Sequence, residues 1–220
     1  MSDVRRGSRI LSPLNLPPIQ GLPNELLSSI FAYATHQHHD PYYTILLPLM
    51  VSHVCARWRE ISLSTGALWT QLILTFPTSE GQLIRTAEWL TRSKAAPLHI
   101  LLDVRDPGWE WKPDSDESTH LFTGVDMERT LRLILPHVGR WRECELLADT
   151  WAPIHSFLSD TSQVESVPML EFVSLSRCNA FFAERGEVFR PRNLAEPIPL
   201  FGGRANRLRD VELAGVHVEW

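Results

Sequence analysis

Apolar positions in residues 22–72 recur with a helical period. Leu26, Leu27, Ile30, Phe31 and Ala34 fall on one stripe, and Pro23 stands near the first helical position, where its missing N–H costs nothing. Pro48 reads as the start signal of a second helix whose face is Val51, Val54, Cys55, Trp58 and Ile61. After Trp69 the period changes. Trp69-Leu72-Leu74, Trp141-Cys144-Leu146, Leu170-Val173-Leu175-Cys178 and Leu208-Val211-Leu213-Val216 share one spacing, apolar at positions 1, 4 and 6 and at times 9. Such spacing predicts a short strand followed by a turn that plugs the interior. Leu98, Ile100, Leu102 and Val104 alternate as a further half-buried strand should. Between these strands, residues 82–93 and 127–137 carry broad apolar faces and predict helices. Alternating strands and helices of this length predict parallel, right-handed connections.

Polar stretches punctuate the pattern. Residues 1–21, with Arg5, Arg6, Arg9, Pro13, Pro17 and Pro18, read as a flexible lead-in. Residues 35–41 form a histidine-rich loop. Residues 103–126 and 177–206 read as insertions or loops, the first holding the acidic run Asp114-Ser115-Asp116-Glu117. A strand signal at 208–216 has no helix behind it, so the chain is expected to be a shortened form of a longer repeat protein.

Composition narrows the function classes. The 220 residues are 44% hydrophobic and 21% charged, ordinary for a globular protein. A net charge of -5 gives no electrostatic reason to expect nucleic-acid binding. The longest apolar run, 45–51, is interrupted by Pro48 and far too short to span a bilayer. Three widely spaced cysteines, Cys55, Cys144 and Cys178, argue against a disulfide framework or zinc site and fit a reducing intracellular compartment, cytoplasmic or nuclear.

The ordered set Leu22-Pro23, Glu25-Leu26-Leu27, Ile30-Phe31, Val54-Cys55, Trp58-Arg59 and Leu68-Trp69 resembles the F-box, and closely the F-box-like domain common in fungal proteins. The 1-4-6 spacing downstream is that of a leucine-rich repeat. The expected fold class is therefore α/β. It has a short F-box helical bundle at 22–72 and an irregular, incomplete leucine-rich-repeat-like solenoid with parallel strands at 73–220. The resemblance implies a substrate-receptor subunit of an SCF-type cullin ubiquitin ligase. A Skp-type adaptor, and through it a cullin, would bind through Leu22, Pro23, Glu25, Leu26, Ile30, Phe31, Val54, Cys55, Trp58, Leu68 and Trp69, and a protein substrate through the repeats. No cofactor, metal, nucleic acid or membrane enters this picture. The alternative is a non-ligase scaffold in which the helices only cap the repeats.

Candidate chemistry is sparse. His36, His38 and His39 with Asp40 lack the spacing to converge on a metal, and a solvated loop explains them. Cys55, Cys144 and Cys178 sit where packed apolar residues belong. No G-x-S-x-G elbow, phosphate-cradling glycine loop or H-E-x-x-H occurs, so the chain is expected to be non-catalytic. The tetrapeptide Arg-Trp-Arg-Glu occurs at 57–60 and 140–143. Its tryptophans read as buried anchors with arginine flanks reaching solvent.

Overall fold

A computed structural model describes residues 17–37, 41–111, 116–178 and 192–220. Three helices come first: α1 (Asn24–His36), α2 (Pro41–Ser52) and α3 (Ala56–Ser64), followed by a 3-10 turn, Gly66–Trp69. The chain then alternates through β1 (Gln71–Thr75), α4 (Glu80–Arg92), β2 (Leu98–Asp103), α5 (Gly124–Ile134), β3 (Trp141–Ala148), α6 (Trp151–Ser162), β4 (Phe172–Arg177) and β5 (Asp210–Ala214). The fold is mixed α/β, with a helical N-terminal unit and one five-stranded sheet.

The strands lie in sequence order β1-β2-β3-β4-β5, every pair parallel. Position 4 of the sequence spacing forms one column across the sheet, Leu72-Ile100-Cys144-Val173-Val211. Position 6 forms the next, Leu74-Leu102-Leu146-Leu175-Leu213. Each column points its side chains into the core, because alternate residues on a strand share a face. Trp69, Leu98, Trp141 and Leu170, one step earlier in the spacing, are buried there too.

Several expectations need correction. Pro48 does not start a helix; it lies inside α2, and its carbonyl accepts from Ser62 Oγ at 3.2 Å. The face expected over 51–61 is split, because α2 ends at Ser52 and the extended Cys55 is the cap from which α3 begins. Helix α6 was not expected at all, yet it buries Trp151, Ile154, Phe157, Leu158 and Thr161. The supposed insertions supply core residues. Val104 and Phe122 are buried in the first, and Leu200 and Phe201 in the second, where Phe201 meets Trp141 and Phe157 edge-on. Residues 1–16 of the expected tail, His38, His39 and Asp40 of the loop, and Asp114 and Ser115 of the acidic run lie outside the described residues. Pro18–Gly21 forms a 3-10 turn rather than a loose lead-in.

Candidate functional site: an apolar surface on the N-terminal helices

Helix α1 has two apolar stripes. Leu27, Phe31 and Thr35, four residues apart, face inward and are buried. Leu26, Ile30 and Tyr33 occupy the adjacent face and stay 52%, 46% and 68% exposed. Helix α2 packs on α1 and also keeps apolar side chains outside: Tyr43, Leu46 and Met50, spaced i, i+3, i+7. Val54, in the corner between α2 and α3, is 60% exposed. Ile19 and Leu63 are exposed as well, so most of the large exposed hydrophobics belong to this unit. A surface so enriched in apolar side chains marks an interaction site.

The segment leading into α1 is held by one side chain. Arg57 donates from Nη1 to Gln20 O at 2.6 Å, from Nε and Nη2 to Asn24 Oδ1 at 3.0 and 2.8 Å, and from Nη2 to Leu22 O. A guanidinium carries five N–H donors in a fixed fork, so it can bridge three acceptors at once. Arg57 is thus a clamp and not the solvent-reaching flank expected from the sequence. Trp58 beside it is half-buried, its ring 4.7 Å from that of Phe31.

Of the residues expected to meet an adaptor, Leu26, Ile30 and Val54 are exposed apolar, and Pro23, Glu25 and Cys55 are exposed beside them. Leu22 and Trp58 are half-buried. Phe31, Leu68 and Trp69 are inside, at 4%, 1% and 0% exposure, which corrects the expectation of surface contact for these three. Their work is internal. Trp69 Nε1 donates to Ser62 O at 2.9 Å, and the Arg92 guanidinium sits 4.6 Å over its ring. Cys55 is exposed and not packed on an apolar face. Tyr33, Tyr43, Leu46 and Met50 went unrecognised. Tyr33 belongs to a second stripe of α1 beside the first, and Tyr43, Leu46 and Met50 to a helix that Pro48 and the polar residues before it hide in the sequence.

Where α1 ends against the sheet, a cavity of 450 Å³ is lined by His36, Thr70, Gln71, His99, Arg142 and Glu143, among others. Its charged and imidazole groups are already engaged. His99 Nδ1 lies 2.8 Å from Glu143 Oε2, an interaction that holds the Glu143 carboxyl below its ordinary range. His36 Nε2 lies 3.1 Å from Ala67 O, and burial lowers the His36 pKa. Arg142 is paired with Glu171. Among the described residues no group of three His, Cys, Asp or Glu side chains is arranged to hold a metal. Cys144 is fully buried, and burial pushes its thiol well up, away from the nucleophilic thiolate. No described helix is long and apolar enough to cross a membrane.

Comparison with known proteins locates the match on this same unit. No curated protein and no solved structure matches the chain. A family model does match, over residues 19–75, which run from the Arg57-held turn through the three helices to the end of β1. The N-terminal helical unit of this chain is an F-box-like domain.

Proposed function

We propose that this chain is a substrate-receptor subunit of an SCF-type ubiquitin ligase, docking on a Skp-type adaptor through the F-box-like domain and presenting a target protein on the sheet. The observation that carries the reading is the pair of apolar stripes left outside on α1 and α2 of a unit that matches the F-box-like family. The contact surface is then Leu22, Pro23, Glu25, Leu26, Ile30, Val54 and Cys55, extended by Tyr33, Tyr43, Leu46 and Met50. Trp58 supports it from behind through Phe31. Burying such side chains under a partner contributes roughly 1.5–3 kcal/mol each, enough for a few of them to dominate affinity. The five sequence-ordered parallel strands with their 1-4-6 columns support a leucine-rich-repeat-like description of the rest. Catalysis would reside in partner subunits, and this chain would supply proximity. An intracellular location, cytoplasmic or nuclear, accompanies that role.

The test is a titration of a purified Skp-type adaptor with the full chain and with Leu26→Asp/Ile30→Asp and Met50→Asp variants. Because these side chains are exposed, the variants are expected to keep their melting temperature while losing adaptor binding by a hundredfold or more. Undiminished binding by both variants would sink the reading. The scaffold alternative has one observation in its favour: α2 packs on β1, the edge strand, as a cap would. A wild-type chain that never binds an adaptor would favour it.

A further inference from the structure

The columns that point into the core alternate with columns on the opposite face of the sheet. One of these runs His99-Glu143-Phe172-Asp210, the next Leu101-Glu145-Ser174-Glu212, and the third Asp103-Leu147-Ser176-Ala214. Leu101, Leu147 and Phe172 are only half-buried and form no part of the hydrophobic core. From β2 to β5 the face is thus an open patch of interspersed apolar and acidic side chains; at β1 the same rows begin with Gln71, Ile73 and Thr75, and Ile73 is buried.

Its charges are not balanced from within. Arg105 engages Asp103 through Nε and Nη2, both at 2.7 Å, and His99 engages Glu143. Glu145, Asp210 and Glu212 have no side-chain hydrogen bond or ion pair among the described residues. Glu145 is at the centre of the patch. Partial burial first, and then the carboxylates of Glu143 and Glu212, raise its pKa. A half-buried carboxylate crowded by like charges is the arrangement that an incoming cation relieves.

Spacing narrows the occupant further. Asp210 and Glu212, both unpaired among the described residues, are two residues apart on β5, about 6.6 Å, and Glu145 lies two strands from Glu212, about 9.6 Å. An extended chain repeats side chains on one face every ~6.6 Å, so one running along β5 sets alternate lysines or arginines over Asp210 and Glu212, within reach of Glu145, while apolar residues beside them meet Phe172 and Leu147. We propose that the open sheet face binds an extended basic segment, with lysine or arginine at alternating positions and apolar residues nearby, of a partner protein. Calling that partner a ligase target rests on the receptor reading above; the charge and register of the face do not.

The experiment uses the full chain and three labelled nonapeptides, alternating lysine with leucine, arginine with leucine, and glutamate with leucine. The two basic peptides are expected to bind, more weakly as salt rises, and the acidic one not to. Glu145→Gln/Glu212→Gln is expected to weaken basic-peptide binding at least tenfold with no loss of melting temperature. A control pair elsewhere on the surface, Glu128→Gln/Glu165→Gln, should leave it within twofold. No preference for basic over acidic peptide, or a preference that survives the double change at 145 and 212, would overturn the proposal. Adaptor binding is titrated on the same samples. Peptide failure with the adaptor retained sinks this inference alone, and adaptor failure with peptide retained sinks only the receptor reading.

Discussion

Arg57 and Arg140 open the two copies of Arg-Trp-Arg-Glu, and both act as staples on backbone carbonyls. Arg57 gathers Gln20, Leu22 and Asn24; Arg140 reaches Ser93 Oγ, Ala96 O and Leu90 O where α4 ends. Arg57→Ala is expected to loosen the Leu22-Pro23 entry and weaken adaptor binding about tenfold, ~1.4 kcal/mol, with little change in the unfolding of the sheet. Arg57→Lys should not rescue it, since one ammonium cannot bridge these acceptors. A calorimetric titration in which either variant binds like wild type would count against the clamp. Glu145 makes a prediction of opposite sign. Its carboxyl is raised in the fold, so the native state holds that proton more readily than the unfolded chain, and stability falls as pH rises through the window above the ordinary carboxylate range. Glu145→Gln should therefore melt higher than wild type at pH 7, and the gap should close as pH drops below that range. Thermal melts across pH 3–8 check this.

At the scale of elements, the strands were legible and the polar ties between them were not. A 1-4-6 spacing survives translation into structure because alternation on a strand is local, so Cys144 and Leu146 fell into the columns their spacing demanded. Helix α6 was missed because Pro153 and the polar ends of the segment masked Trp151, Ile154, Phe157 and Leu158 on one face. Residues 103–126 looked like an insertion because their anchors lie far away in sequence. His120 Nε2 meets Asp149 Oδ2 at 3.2 Å, and Arg177 pairs with Glu117, which also accepts from the Trp151 amide. Periodicity cannot report such pairs. The two stripes of α1 were readable only as a surplus of apolar residues; which stripe stays outside depends on the packing of α2 and α3. Close approach between elements is also invisible in sequence. A Cβ on Gly66 would lie 2.8 Å from Ser93 O, backbone at the end of α4. Gly66→Ala is expected to cost roughly 1–3 kcal/mol by pushing the turn off α4, read as a lower denaturation midpoint. An unchanged midpoint would show that the turn yields freely.

For the molecule as a whole, the F-box-like domain and the sheet are not separate bodies. One hydrophobic cluster runs from Leu27 and Phe31 through Trp69 and Trp89 to Trp141, Phe157 and Phe201. Trp69 stands at its junction, with Trp89 5.5 Å away edge-on. Trp69→Ala should remove about 3–5 kcal/mol and do so for both halves at once, giving a single cooperative unfolding transition at lower denaturant. Two separated transitions would contradict a shared core.

That shared core has a mechanical meaning. With Trp69 wedged between the last helical turn and the first strand, there is no swivel along the path from the α1–α2 surface to the acidic sheet face. Under the receptor proposal, a body gripped at one end would fix the bearing of a target resting on the other, and reach would come from that target's own pliant tails.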